Sequence, residues 1–150
     1  MQPTSPDHRV ATTPAATRSR RSFIPRDCQV ARFSRTNLLL IGSPAQTEDV
    51  VEALWPTDAT QTWRPGQTLR LPTSDSGVPG DADMQTLILH EIGQLSREDQ
   101  ACLSQWLESQ QGRVHVVSTS AAPLHLRVAA GAFVDSLYYR LNTVCVELDD

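Results

Sequence analysis

Short apolar runs alternate with helix-patterned segments along this chain, and that alternation restricts it to few folds. Leu38-Leu39-Leu40-Ile41 is a continuous apolar run ending at Gly42, the pattern of a parallel strand buried on both faces. Residues 86–90, 114–118 and 143–148 read as further strands, and 60–71 as a strand region interrupted by Pro65 and Gly66. Between them, Glu48 to Trp55 places Val50, Val51, Leu54 and Trp55 on one helical face and stops at Pro56. Ser96 with Asp99 three residues on is a near capping box. The helix it opens carries Cys102, Leu103, Trp106 and Leu107 as an apolar stripe and ends at Gly112. Pro123 suits the first turn of a helix, and residues 135–141 read as one more. Such alternation predicts a parallel sheet with helices on both faces.

A chain of 150 residues with 39% hydrophobic content suits one domain with a real core. No apolar run reaches the roughly 18 residues of a membrane span. Cys28, Cys102 and Cys145 are scattered without a CxxC pair, which points to reduced thiols, with Cys102 and Cys145 expected in buried packing. Charge is uneven: residues 1–35 hold seven arginines against two aspartates, whereas the remainder is strongly acidic. Residues 1–35 are rich in Pro, Thr, Ser and Ala and are expected to be a disordered tail, with 36–150 as the α/β domain. The cluster Arg18-Ser19-Arg20-Arg21 has the charge to touch nucleic acid or an acidic surface; a solvated tail is the plainer reading. An arginine-rich leader also has the look of an organelle transit peptide, but nothing else supports import. Without a secretory core segment, the cytoplasm is the expected location.

The block Gln85-Thr-Leu-Ile-Leu-His-Glu-Ile-Gly-Gln-Leu95, followed by Gln100-Ala-Cys-Leu103, resembles the "GTLFLDEIGELP…QAKLL" segment of sigma-54-dependent transcription activators, the bacterial enhancer-binding AAA+ proteins. Val114 to Leu124 is similar to their "VRVIAATNRDL". Gly131 to Asn142, with Tyr138-Tyr139-Arg140-Leu141-Asn142, is similar to "GRFREDLYYRLN". The three blocks keep the family's order and spacing, and the resemblance runs over 37–148, strongest from 85 onward. It implies a three-layer αβα, P-loop NTPase-like core with a mostly parallel five-stranded sheet.

The departures bear on chemistry. In the family a phosphate-binding loop with a lysine follows the first strand. All 13 basic residues of this chain are arginine. In register, Gly42 keeps the first glycine of the loop, Ala45 and Thr47 replace the next two, Glu48 occupies the lysine position and Asp49 follows. At an effective dielectric near 20, unit charges about 4 Å apart interact by roughly 4 kcal/mol, so exchanging Lys for Glu turns a large attraction into repulsion. The resemblance also assigns an Asp–Glu pair at the end of the catalytic strand, where Asp organises Mg²⁺ and Glu activates water. Here Glu91 remains and His90 replaces the Asp; imidazole is a poor ligand for a hard cation. A softer metal at His90 and Glu91 is not expected, because neighbouring strand residues point to opposite faces. The sensor asparagine aligns with Ala121, and of two arginines facing a neighbour's nucleotide only Arg140 persists, the other aligning with Val134. An internal ion pair is the alternative role for Arg140.

Between Trp55 and Gln85 there is nothing like the family's GAFTGA loop, only the polar stretch around 74–83. The sequence reaches Asp150 without a "PPLRER" motif, lid or DNA-recognition helix, so sequence-specific DNA binding is not expected. The expected function is a non-enzymatic, transcription-related interaction protein on a degenerate AAA+ core, without cofactor. Its expected partner is a protein, with a full-length sigma-54 activator as the concrete case. Residual nucleotide binding or weak ATPase activity is the alternative, and a remnant without a dedicated role is a third.

Overall fold

A computed structural model of the chain describes residues 24–55, 60–71, 86–110 and 114–148. Residues 1–23, the polar stretch at 74–83 and Gly112 lie outside the described residues. In chain order the elements are α1 (Arg26–Ser34), β1 (Leu38–Ile41), α2 (Pro44–Leu54), β2 (Thr60–Trp63), β3 (Thr86–Leu89), a 3₁₀ turn (Ile92–Gln94), α3 (Arg97–Gln110), β4 (His115–Ser120), α4 (His125–Ala129), α5 (Asp135–Leu141) and β5 (Val144–Glu147).

All four strand pairings are parallel, in the order β2-β3-β4-β1-β5. β1 therefore sits inside the sheet, with Leu38 opposite both Val117 and Val144. Strand alternation divides the core between two faces. Leu39, Leu87, Leu89 and Val116 face one way and pack with Leu103 and Leu107 of α3 and Leu137 and Leu141 of α5. Leu38, Leu40, Ile88, Val117 and Val146 face the other way and pack with Cys28 and Ala31 of α1 and Val50, Val51 and Leu54 of α2. Helices thus cover both faces, as strands apolar on both sides require. Gly66, at φ 91°, makes the turn after β2, and Gln67 closes it by bonding back to Arg64.

Three expectations are corrected. Residues 26–34 are helix and not disordered tail, anchored by Cys28 and Ala31, both fully buried. Cys102 and Cys145 are exposed, and Cys28 is the buried thiol. Cys102 falls off the stripe because Gln100, Leu103 and Leu107 point inward instead; Cys145 lies on an edge strand whose buried residue is Val146. The helix expected from Glu48 begins at Pro44, a full turn earlier.

Candidate site at the carboxyl ends of the strands

In an open parallel sheet the crevice for ligands lies beyond the carboxyl ends of the strands, where the strand order reverses. Here that place is between β1 and β4. Gly42 follows β1 and donates its N–H to the Ser120 carbonyl at 3.0 Å. His90 and Glu91 follow β3, and Ala121 follows β4. Glu48 and Asp49 lie on α2; Glu48, half-buried, acts electrostatically on His90, and Asp49 is exposed. Arg140, near the end of α5, lies at the opposite edge of the sheet, where the strands begin.

The link from β1 to α2 is two residues, Gly42 and Ser43. Ser43 accepts at its Oγ from the Gln46 N–H at 3.2 Å, and the Gln46 carboxamide oxygen accepts from the Ser43 N–H at 3.0 Å. Pro44 at the first helical position has no N–H. Three of the positions that make a helix N-terminus attractive to anions are thus closed by the chain itself. Gly42 serves close packing: a Cβ there would stand 3.0 Å from Leu148 Cβ and 3.1 Å from Gln46 Oε1. Glu48, at the register position of the phosphate lysine, lies inside the helix and pairs with Arg64 at 2.7 Å.

His90 is buried and donates its backbone N–H to the Trp63 carbonyl at 3.0 Å. Burial holds its pKa below the ordinary histidine value, Arg64 lowers it further and Glu48 opposes. Glu91 takes a left-handed conformation, φ 50° and ψ 59°, uncommon for a residue with a side chain. Two contacts hold it there. Its N–H donates to Thr119 Oγ1 at 3.0 Å, and its Oε2 accepts from the Ala121 N–H at 3.3 Å. Oε1 is buried without a partner. Glu91 and Ala121, distant in sequence, are therefore directly bonded.

Arg140 pairs with Glu108 at 3.2 Å, both side chains substantially exposed. Arg64, Thr119 and the Ser43–Gln46 box are the residues that sequence reasoning missed. The signal for the box is Ser-Pro-x-Gln at 43–46, which a phosphate-loop register does not take into account. Among the described residues, no three His, Cys, Asp or Glu side chains converge as a metal site would need. No helix of those residues is long and apolar enough to cross a membrane.

The sequence profile described as the sigma-54 interaction domain matches residues 19–150. No curated protein sequence matches the chain. Among solved structures, NtrX from Brucella abortus in complex with ATP is similar at 21% identity and TM-score 0.65, covering 95% of this chain and 37% of that one. The P-loop NTPase domain of the sigma-54 transport activator from E. coli is similar at 14% identity and TM-score 0.55, covering 94% of this chain and 99% of that one. The RuvB Holliday junction branch migration motor of Thermotoga maritima is similar at 14% identity and TM-score 0.50, covering 82% and 42%. This chain thus spans under two-fifths of the length of NtrX. The strand order and these likenesses give the P-loop NTPase fold of the AAA+ class, and the profile match places the chain in the sigma-54 interaction domain family.

Proposed function

We propose that this chain is a non-hydrolysing member of its family, acting in transcription regulation through contact with a protein, in the cytoplasm. The observation that carries the reading is the two-residue link between β1 and α2, closed by Ser43 and Gln46. A phosphate-binding loop works through a run of free backbone N–H groups and a cation. Here the N–H groups of Ser43 and Gln46 are engaged, Pro44 has none, and Glu48 stands where the cation is needed. His90 in place of a carboxylate supports the same reading, since a buried neutral imidazole does not organise Mg²⁺.

A triphosphate present at about a hundred times its Kd stabilises a protein by about 2.7 kcal/mol. Mg²⁺-ATP at millimolar concentration is expected to leave the melting temperature unchanged. A clear upward shift would instead favour residual nucleotide binding, the reading supported by the retained Glu91 and its bond to the Ala121 N–H.

The proposed partner is a full-length sigma-54 activator from the same cell. Light-scattering mass after gel filtration of the mixture is expected to give a mixed species; two unshifted peaks would reject that partner. The Arg140–Glu108 pair supports a structural role for Arg140. Arg140→Ala is therefore expected to leave the partner's ATPase activity as the unaltered chain leaves it.

A further inference from the structure

At the edge of the sheet where the strands begin, a cavity of about 430 Å³ lies between the residues just before β1, β4 and β5 and the last turns of α3 and α5. Arg35 and Arg140 line it together with the apolar side chains of Leu107 and Val114, and one carboxylate, Glu108, lies among them. We infer that this cavity binds a small organic carboxylate, its charged end held by Arg35 and Arg140 and its apolar body lying on Leu107 and Val114.

The volume is that of a small-molecule site, and a few polar groups set in an apolar lining are what fix a ligand's orientation. The wall is already built. The Asn37 carboxamide donates to the Arg140 carbonyl at 3.0 Å and accepts from the Val116 N–H at 3.0 Å, while its backbone carbonyl accepts from Val144 at 3.0 Å. One residue thus ties α5, β4 and β5 to the start of β1, so little ordering remains to oppose binding.

Electrostatics favour an anion. Helix carboxyl ends are negative and would repel one, but the Arg140 carbonyl in the last turn of α5 is already engaged. It accepts from the Asn37 carboxamide at 3.0 Å and from Thr143 Oγ1 at 3.4 Å. Arg140 has one contact to Glu108, at 3.2 Å and partly solvated. Its planar fork therefore keeps further N–H donors suited to a carboxylate. Arg35 supplies the second guanidinium from an unusual backbone position, φ 61° and ψ 34° at the end of α1. Glycine is the ordinary residue for that cap. The side chain is carried there at some conformational cost, and it lines the cavity.

The test is a titration of the ¹⁵N-labelled full chain followed by amide chemical shifts. The probes are benzoate, benzamide as its uncharged counterpart, and inorganic phosphate as an anion without an apolar body. The variants are Arg35→Gly, which also relieves the left-handed backbone, and Arg140→Gln at an exposed position; the spectra themselves report whether each is folded. Benzoate is expected to shift Thr36, Asn37, Val114 and Thr143 saturably, with about tenfold or greater loss of affinity in each variant. Benzamide and phosphate are expected to produce no saturable shift there. No saturable benzoate shift, an equal response to phosphate or benzamide, or unaltered affinity in both variants would overturn the assignment.

Discussion

Gln100, only 1% exposed, holds three backbone groups at once. Its carboxamide donates to the carbonyls of Leu95 and Ala132 at 3.1 and 3.2 Å and accepts from the Val134 N–H at 2.8 Å. It thereby joins the entry of α3 to the entry of α5. Each buried group left unsatisfied costs about 1–3 kcal/mol, so Gln100→Leu is expected to lower unfolding free energy by about 3 kcal/mol or more in urea denaturation, despite its added apolarity. No sequence rule announces such a residue, because glutamine on a helix is by default assigned to solvent; only its spacing of three to Leu103 places it on the inward face. Two buried histidines make a different prediction. His115 donates its Nε2–H to the Thr36 carbonyl at 2.7 Å, and burial, with Arg35, outweighs that bond to keep its pKa low. His90 is likewise lowered by burial and by Arg64. Both are neutral when folded, whereas the unfolded chain takes up their protons near pH 6.5. Their contribution to stability is therefore present above about pH 6.5 and lost as the pH falls through the lower folded values. Melts at about pH 7.5 and about pH 5.5 should show the loss, and the double variant His90→Gln, His115→Gln should flatten the difference.

At the scale of elements, the strands and the later helices are legible because their apolar periods are strong. The helix expected over 135–141 spans Asp135–Leu141, and the strand expected over 143–148 spans Val144–Glu147. α1 is not legible in that way. Its inward face is Cys28 and Ala31, side chains too small to give a strong pattern, while Phe33 and Val30 point outward. The start of α2 is missed although Ser43, Pro44 and Gln46 spell a capped N-terminus; alignment to a phosphate loop draws the reading to Gly42, Ala45 and Thr47 and opens the helix at Glu48. The cap carries a measurable share of stability. Ser43→Ala removes the acceptor for Gln46 N–H and is expected to cost about 1 kcal/mol, read as a lower urea midpoint at unchanged slope. The site suffers the same confusion of scales. Alignment identified Gly42, His90, Glu91 and Ala121, and the fold brings them to one edge, but Glu48 and Asp49 belong to the body of a helix. Arg140 belongs to the other end of the sheet.

Across the whole molecule, one domain with two cores depends on β1 lying between β4 and β5. Removing residues 144–150 would leave β1 with an open edge and Leu38 and Leu40 without Val144 and Val146 beside them. That shortened chain is expected to lose amide dispersion and to aggregate, because a bare apolar strand recruits others. Retention of a dispersed spectrum would show that β5 is an accessory to the fold.

The keystone at Asn37 also dictates a timetable. Its partners Val116 and Arg140 lie 79 and 103 residues further along the chain. As the polypeptide leaves the ribosome amino end first, β1 emerges before the strands that flank it, and most of the domain must follow before either neighbour exists. Contacts this distant in sequence form slowly, and an apolar strand waiting for them is open to wrong partners. β1 is made before both strands that flank it and is among the last to be housed, so the hazard in this protein's life falls during its birth, when chaperone cover of Leu38–Ile41 would matter most.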